Sequence, residues 1–188
     1  MDILWTPWRY NYVSKADCAR RQGVPPELEA WPGDMDCVFC NLLGASDYAV
    51  ENGMARGDAD RAAKIVHRGE HCFICLNAFP YNPGHVMVLP YRHINELAGL
   101  ETAAAFEMMT LAQRMERILA RVYCPKGINL GMNLGKAAGA GVLGHLHLHM
   151  LPRWMGDTNF MAVIGETRVL PETLDVTWER LHTAFQEA

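Results

Sequence analysis

Short alternating runs of apolar and polar residues, broken by one long helical stripe, set the pattern of this chain. The sharpest alternation lies in GAGVLGHLHLHMLPRW, Gly139 to Trp154, where His145, His147 and His149 interleave with Leu146, Leu148 and Met150. Every second side chain of a strand points to the same face. The pattern predicts a strand over 145–151 with the apolar residues in the core, three imidazoles in a row on the opposite face, and Pro152 as its end. Lys64–Arg68 and His71–Leu76 read as a hairpin about a Gly69-Glu70 turn, and His85–Pro90 as the next strand. Ile128–Asn133 reads as the antiparallel neighbour of the triad strand, and Asn159–Ile164 as a short extra strand.

Between Glu101 and about Val122 the period changes. Met108, Leu111, Met115, Ile118 and Val122 recur at spacings of three and four, the stripe of a long amphipathic helix that Pro125 and Gly127 end. Met108, Met109 and Met115 read as core filler. Pro171–Phe185 predicts a closing helix, with Pro171 near its first turn and His182 on its surface. Residues 44–62 are rich in Gly, Asp and Ala and poor in large apolar side chains, the pattern of a mobile loop or weakly formed helix. The sum is α+β: a mainly antiparallel sheet, one long helix and a C-terminal helix.

Composition narrows the classes. The 188 residues suit one domain with a full core, half of them hydrophobic and a fifth charged. A net charge of -4 argues against electrostatic binding of a nucleic-acid polymer. No apolar run approaches membrane-spanning length, and the N-terminus lacks a charged-then-apolar leader pattern. The six cysteines are not needed as disulfide staples at this length, which points to a reducing cytoplasm.

The first 36 residues hold Trp5, Trp8, Tyr10 and Tyr12, too apolar for a disordered tail, so 1–36 reads as an arm packed on the domain at 37–188 or on a partner subunit. Cys37-Val38-Phe39-Cys40 is a Cys-x-x-Cys knuckle that can grip zinc; a buried packing pair or a redox pair has the same spelling. Cys72 and Cys75 lie within a strand, where a spacing of three points them to opposite faces, so they read as packing residues.

Three imidazoles beside a glycine-rich turn suggest phosphoryl chemistry. A neutral imidazole is a nucleophile near pH 7, and backbone N–H groups of such a turn can hold a phosphate. Three charged imidazoles in a row would repel, so the roles must differ: one attacks while its neighbours orient it and bind oxygens. A Gly-Lys-Ser/Thr phosphate loop and an acidic magnesium cluster are both missing from the sequence, so no catalytic metal is expected. The plainer alternatives are a half-buried strand with incidental histidines and a surface metal patch.

His145 to Leu151 matches all seven positions of the histidine triad (HIT) motif, His-φ-His-φ-His-φ-φ with φ apolar, and PGHVMVLP followed by Arg92-His93 resembles that family's second segment. LWTPWRYNYV and PRWMGDTNFMAVIGE resemble a bacterial branch acting on diadenosine tetraphosphate by phosphorolysis or hydrolysis. The resemblance runs from Cys37 to about Leu174 and includes the arm. It implies a HIT α+β sandwich, a homodimer whose sheets join, and a nucleotidyl-histidine intermediate on His147. It further implies that His149 binds the α-phosphate, that His85 supports the orientation of His147, and that Asn77 contacts ribose. Asn133 would reach the phosphates or leaving group, and Gly139, Ala140, Gly141 and Val142 would offer N–H groups. A structural zinc on Cys37, Cys40, His93 and His145 fits a pattern seen in some relatives and in galactose-1-phosphate uridylyltransferases.

One departure bears on the leaving group. Many relatives carry Gln or Ser just before the triad, whereas Gly141-Val142-Leu143 has no side-chain donor, which tilts the expectation slightly towards hydrolysis. The other readings of the same residues are a purine-nucleotide-binding or sensing protein with little turnover, and an adenosine phosphoramidase.

Overall fold

A computed structural model describes residues 22–157 and 170–188. Among the described residues five strands, β1 (Ile65–Arg68), β2 (Cys72–Leu76), β3 (Val86–Pro90), β4 (Gly127–Met132) and β5 (Leu148–Arg153), form one sheet in the order β1-β2-β3-β5-β4. Every neighbouring pair is antiparallel. The α-helices among the described residues are α1 (Val38–Glu51), α2 (Arg56–Ala62), α3 (Thr102–Tyr123) and α4 (Leu174–Gln186). This is the expected α+β class.

Strand alternation divides the core in two. Cys72, Ile74, Leu76, Val86, Val88, Leu146, Leu148 and Met150 face one layer with Met108, Leu111, Met115 and Ile118 of α3 and Trp178, Leu181 and Phe185 of α4. Phe73, Cys75, Met87 and Leu89 face the other layer, with Phe39 and Leu43 of α1 and with Val24, Leu28 and Trp31 from the preceding segment. Cys72 and Cys75 therefore pack on opposite faces, as their spacing requires. Covering both faces explains why β2 and β3 are buried along their whole length.

Several expectations are corrected. Residues 44–62 form the end of α1 and all of α2, joined by a turn at 52–55, with Ala45, Ser46 and Ala59 wholly buried. Small side chains there permit close packing: a Cβ on Gly44 would lie 2.7 Å from the Trp31 ring. Met109 is not core filler but 47% exposed, because it falls beside the Met108 stripe. Pro152 does not end its strand; it pairs with Ile128 of β4, and β3 begins only at Val86, opposite Met150, so its missing N–H faces no neighbour there. The closing helix starts at Leu174, capped by the Thr173 hydroxyl, which accepts from the Val176 N–H. His182 is partly buried: Nδ1 donates to the Val66 carbonyl at 2.9 Å, and its ring stacks on Trp178. Asn159–Ile164 and the arm's Trp5, Trp8, Tyr10 and Tyr12 lie outside the described residues. Among the described residues, no helix is long and apolar enough to cross a membrane.

Candidate active site

The imidazoles of the triad lie on the α1 side of the sheet, opposite Leu146, Leu148 and Met150. His145 is 1% exposed and His147 5%, because the Phe39 ring from the Cys37–Cys40 knuckle packs against both at 5.5 and 5.4 Å between centroids. The sequence gives Phe39 no distinguishing mark beyond its place inside the knuckle. Only β5 proper, from Leu148, is regular strand; His145 lies in a bend and His147 in the irregular segment just before it.

Hydrogen bonds fix each tautomer. His147 Nδ1 lies 2.8 Å from the His145 carbonyl, which only accepts, so Nδ1 carries the proton and Nε2 keeps its lone pair. His145 Nε2 lies 2.9 Å from the Pro90 carbonyl, so its Nδ1 is the free acceptor. A second chain runs from the backbone. The Tyr81 N–H donates to His85 Nδ1 at 3.1 Å. His85 must then carry its proton on Nε2, which donates to His149 Nδ1 at 3.0 Å. This leaves His149 with a proton on Nε2, the hydrogen that a phosphate oxygen would accept. His85 thus contacts His149; the expected support of His147 is supplied instead by the His145 carbonyl.

Electrostatics favour the neutral forms. Burial pushes the imidazoles of His145 and His147 below their ordinary value, against the upward pull of their carbonyl contacts. His149 is pushed down to about 4, by burial first and then by neighbouring His147. Neutral imidazoles at pH 7 remove the mutual repulsion and leave His147 nucleophilic.

The loop that delivers His85 has a clear local logic. Asn82-Pro83-Gly84-His85 follows the pattern of a type II turn: Pro second, Gly third with φ +76, and the His85 N–H donating to the Asn82 carbonyl at 3.3 Å. A Cβ on Gly84 would also meet the Tyr123 ring at 2.8 Å. Asn77 starts this loop; its N–H donates to the His85 carbonyl, and its side-chain oxygen accepts from the Phe79 N–H.

Asn133 follows β4, and 139–142 precede the triad. Two of the four expected anion-binding N–H groups are occupied: Gly139 donates to Lys136 and Ala140 to Gly135. Gly141 and Val142 make no backbone hydrogen bond among the described residues, and the Val142 side chain packs on the core beneath.

Cys37, Cys40, His93 and His145 converge, their ligand atoms all within 4.8 Å of one another. Cys37 is the N-cap of α1 and Cys40 lies in its first turn, which sets both sulfurs near His145 Nδ1, at 3.5 and 3.6 Å. Cys40 Sγ is 3.3 Å from His93 Nδ1. The donor set suits a tetrahedral Cys2His2 zinc: the bond from His145 Nε2 to Pro90 already turns Nδ1 inward, as an outer carbonyl partner does for a metal-bound histidine. Burial, and next the neighbouring Cys37, push the Cys40 thiol up to about 12; a divalent cation would reverse that balance.

Comparison with known proteins agrees with this geometry. The HIT domain matches residues 59–155. A Mycobacterium tuberculosis protein named AP-4-A phosphorylase is 38% identical over 182 residues, 97% of this chain and 83% of the relative. A Zn-bound histidine triad family protein from Mycobacterium smegmatis superposes with a TM-score of 0.59 at 26% identity, covering 82% of this chain and 96% of that one. A hypothetical histidine triad nucleotide-binding protein from Sulfolobus tokodaii shares the fold at a TM-score of 0.59 and 20% identity, over 80% of this chain and 93% of that one. On the triad, the sheet that carries it and these matches together, the chain belongs to the HIT family.

Proposed function

We propose that this protein is an enzyme that cleaves diadenosine polyphosphates, such as the tetraphosphate, through a nucleotidyl-histidine intermediate. The observation that carries the reading is the pair of fixed tautomers: a Nε2 lone pair on buried His147 beside a Nε2–H on His149. The His147 lone pair attacks the α-phosphorus, a P–N bond forms, and the bond to the leaving polyphosphate breaks with its electron pair on oxygen. On the tetraphosphate that releases ATP. Phosphate then attacks the adenylyl-histidine and gives ADP, or water attacks and gives AMP. The slight sequence tilt towards hydrolysis yields to the name of the 38% identical relative, a phosphorylase, so phosphorolysis is the release step proposed here. Asn77, Asn133 and the N–H groups of Gly141 and Val142 are assigned to ribose and phosphate contacts.

Cys37, Cys40, His93 and His145 would hold a structural zinc ion. When bound it supplies a fixed cross-link between α1, the segment after β3 and the triad strand. A homodimer is proposed through the outer face of α3 and the edge of β4, the outermost strand among the described residues, where Phe106 is 76% and Leu130 48% exposed. Light scattering at micromolar concentration showing only a 21.1 kDa species would remove the dimer. A cytoplasmic setting is proposed from free cysteines 37, 40, 72, 75 and 124.

The test is incubation with diadenosine tetraphosphate with and without phosphate. ADP formed only with phosphate identifies phosphorolysis; AMP plus ATP without phosphate identifies hydrolysis. Tight AMP binding with no turnover of the tetraphosphate or of an adenosine phosphoramidate would leave a binding or sensing protein instead.

A further inference from the structure

We propose that Asn82 is a positioning residue for nucleotidyl transfer, whose side-chain amide clamps the Tyr81–His85 turn to the far end of β5 and so holds His149 as a Nε2–H donor. The inference rests on the reading of the triad as a nucleotidyl-transfer centre, and it assigns a role to a residue outside the histidines.

Asn82 Nδ2 donates to the Pro152 carbonyl at 3.0 Å and to Asp157 Oδ2 at 2.9 Å. Both partners only accept, so the amide has one acceptable orientation: reversed, its oxygen would face two oxygens. Asp157 is itself held: Arg153 Nε and Nη2 donate to its two oxygens at 2.6 and 2.8 Å, and the Trp154 N–H donates at 3.2 Å. Arg153 also donates through Nη1 to Asn129 Oδ1 of β4 at 2.8 Å. The clamp therefore ends on two strands of the sheet.

What the clamp holds is a backbone donor. Tyr81 and Asn82 are adjacent, and the turn from Asn82 brings His85 back so that the Tyr81 N–H meets His85 Nδ1. That N–H cannot change its role, whereas an imidazole can. It is the fixed end of the chain Tyr81 N–H, His85, His149, and it decides which nitrogen of each ring bears the proton. If the turn drifts, His85 can exchange tautomer, its Nε2 becomes an acceptor, and His149 is free to turn its lone pair towards the substrate. An acceptor facing a phosphate oxygen repels it, most strongly when charge builds on that oxygen in the transition state.

The experiment compares full-length wild type and Asn82→Ala, uniformly labelled with nitrogen-15. Imidazole nitrogen spectra read the tautomers of His85 and His149, and steady-state kinetics use diadenosine tetraphosphate with phosphate. The expected result is one Nε2–H tautomer for both rings in wild type and averaged signals in Asn82→Ala. kcat should fall about 10- to 100-fold and KM change less than about threefold. Asn82→Ser keeps one donor and should give intermediate spectra; it decides the matter if Asn82→Ala does not fold. Unchanged imidazole spectra overturn the clamp, and changed spectra with unchanged kcat overturn its part in the reaction. If wild type turns over no tetraphosphate, the functional reading fails separately, and the spectra still decide the clamp.

Discussion

Glu107 offers a perturbation whose size can be worked out from the contacts. It projects from α3 to the β1–β2 turn, where its carboxylate accepts from three successive backbone N–H groups: Glu70 at 2.8 Å, His71 at 2.5 Å and Cys72 at 2.8 Å. In Glu107→Ala the N–H groups of Glu70 and His71 can reach water, but Cys72 is wholly buried and its donor is orphaned. An orphaned buried donor costs about 1–3 kcal/mol, and two solvated ones add roughly half a kcal/mol each. A total near 2–4 kcal/mol lowers Tm by about 5–12 °C for a chain of this size. Burial alone would raise this carboxyl, yet the three N–H donors outweigh it and hold it below its ordinary value of 4.5. A folded value below the unfolded one gives stability that is present above pH 4.5 and lost as the pH falls through the folded value. Glu107→Gln keeps an acceptor but no charge, so its Tm deficit should be smaller than that of Ala and should shrink on acidification. Thermal unfolding by circular dichroism at fixed zinc and protein concentration measures all three proteins. A shift under about 1 °C for Glu107→Ala, or a Gln deficit that is the same at neutral pH and about pH 3.5, would refute the reasoning.

Three further outcomes are expected. His147→Ala should lose several orders of magnitude in kcat for diadenosine tetraphosphate while retaining the wild-type circular dichroism spectrum, since it removes a covalent nucleophile. Protein purified without added metal should contain stoichiometric zinc by elemental analysis, Cys37→Ser should lose it, and chelation should lower Tm; metal-free wild type would exclude the site. His149 has a folded value of about 4 against an ordinary 6.5, so the unfolded chain binds its proton first and stability falls as pH drops from 6.5 towards 4. His149→Gln should flatten the Tm profile in that window, and an unchanged profile would show that another group dominates it.

The sequence by itself determined what depends on local period and turn chemistry. Alternation set the triad strand and sent Leu146, Leu148 and Met150 to the core, and the 3-4 spacing of Met108, Leu111, Met115 and Ile118 set the long helix. Asn82-Pro83-Gly84-His85 spelled its own turn, and the four candidate zinc ligands were legible because their chemistry is uncommon and their family pattern specific. Tertiary structure decided what depends on which surfaces meet. The small residues of 44–62 carry no strong periodic signal. They are helical because α1 and α2 close on each other around buried Asp60, to which Arg68 Nε donates at 3.0 and 3.2 Å while the Ser46 hydroxyl donates at 3.1 Å. The partner of His85 is likewise invisible in the chain order. Residue 85 lies in the turn just before β3 and 149 on β5, and only the pairing of Met87 with His149 brings these ends of the two strands together. Hydrogen-bond direction is a property of the assembled network: a sequence names an imidazole, but the fixed donors and acceptors around it choose which nitrogen holds the proton.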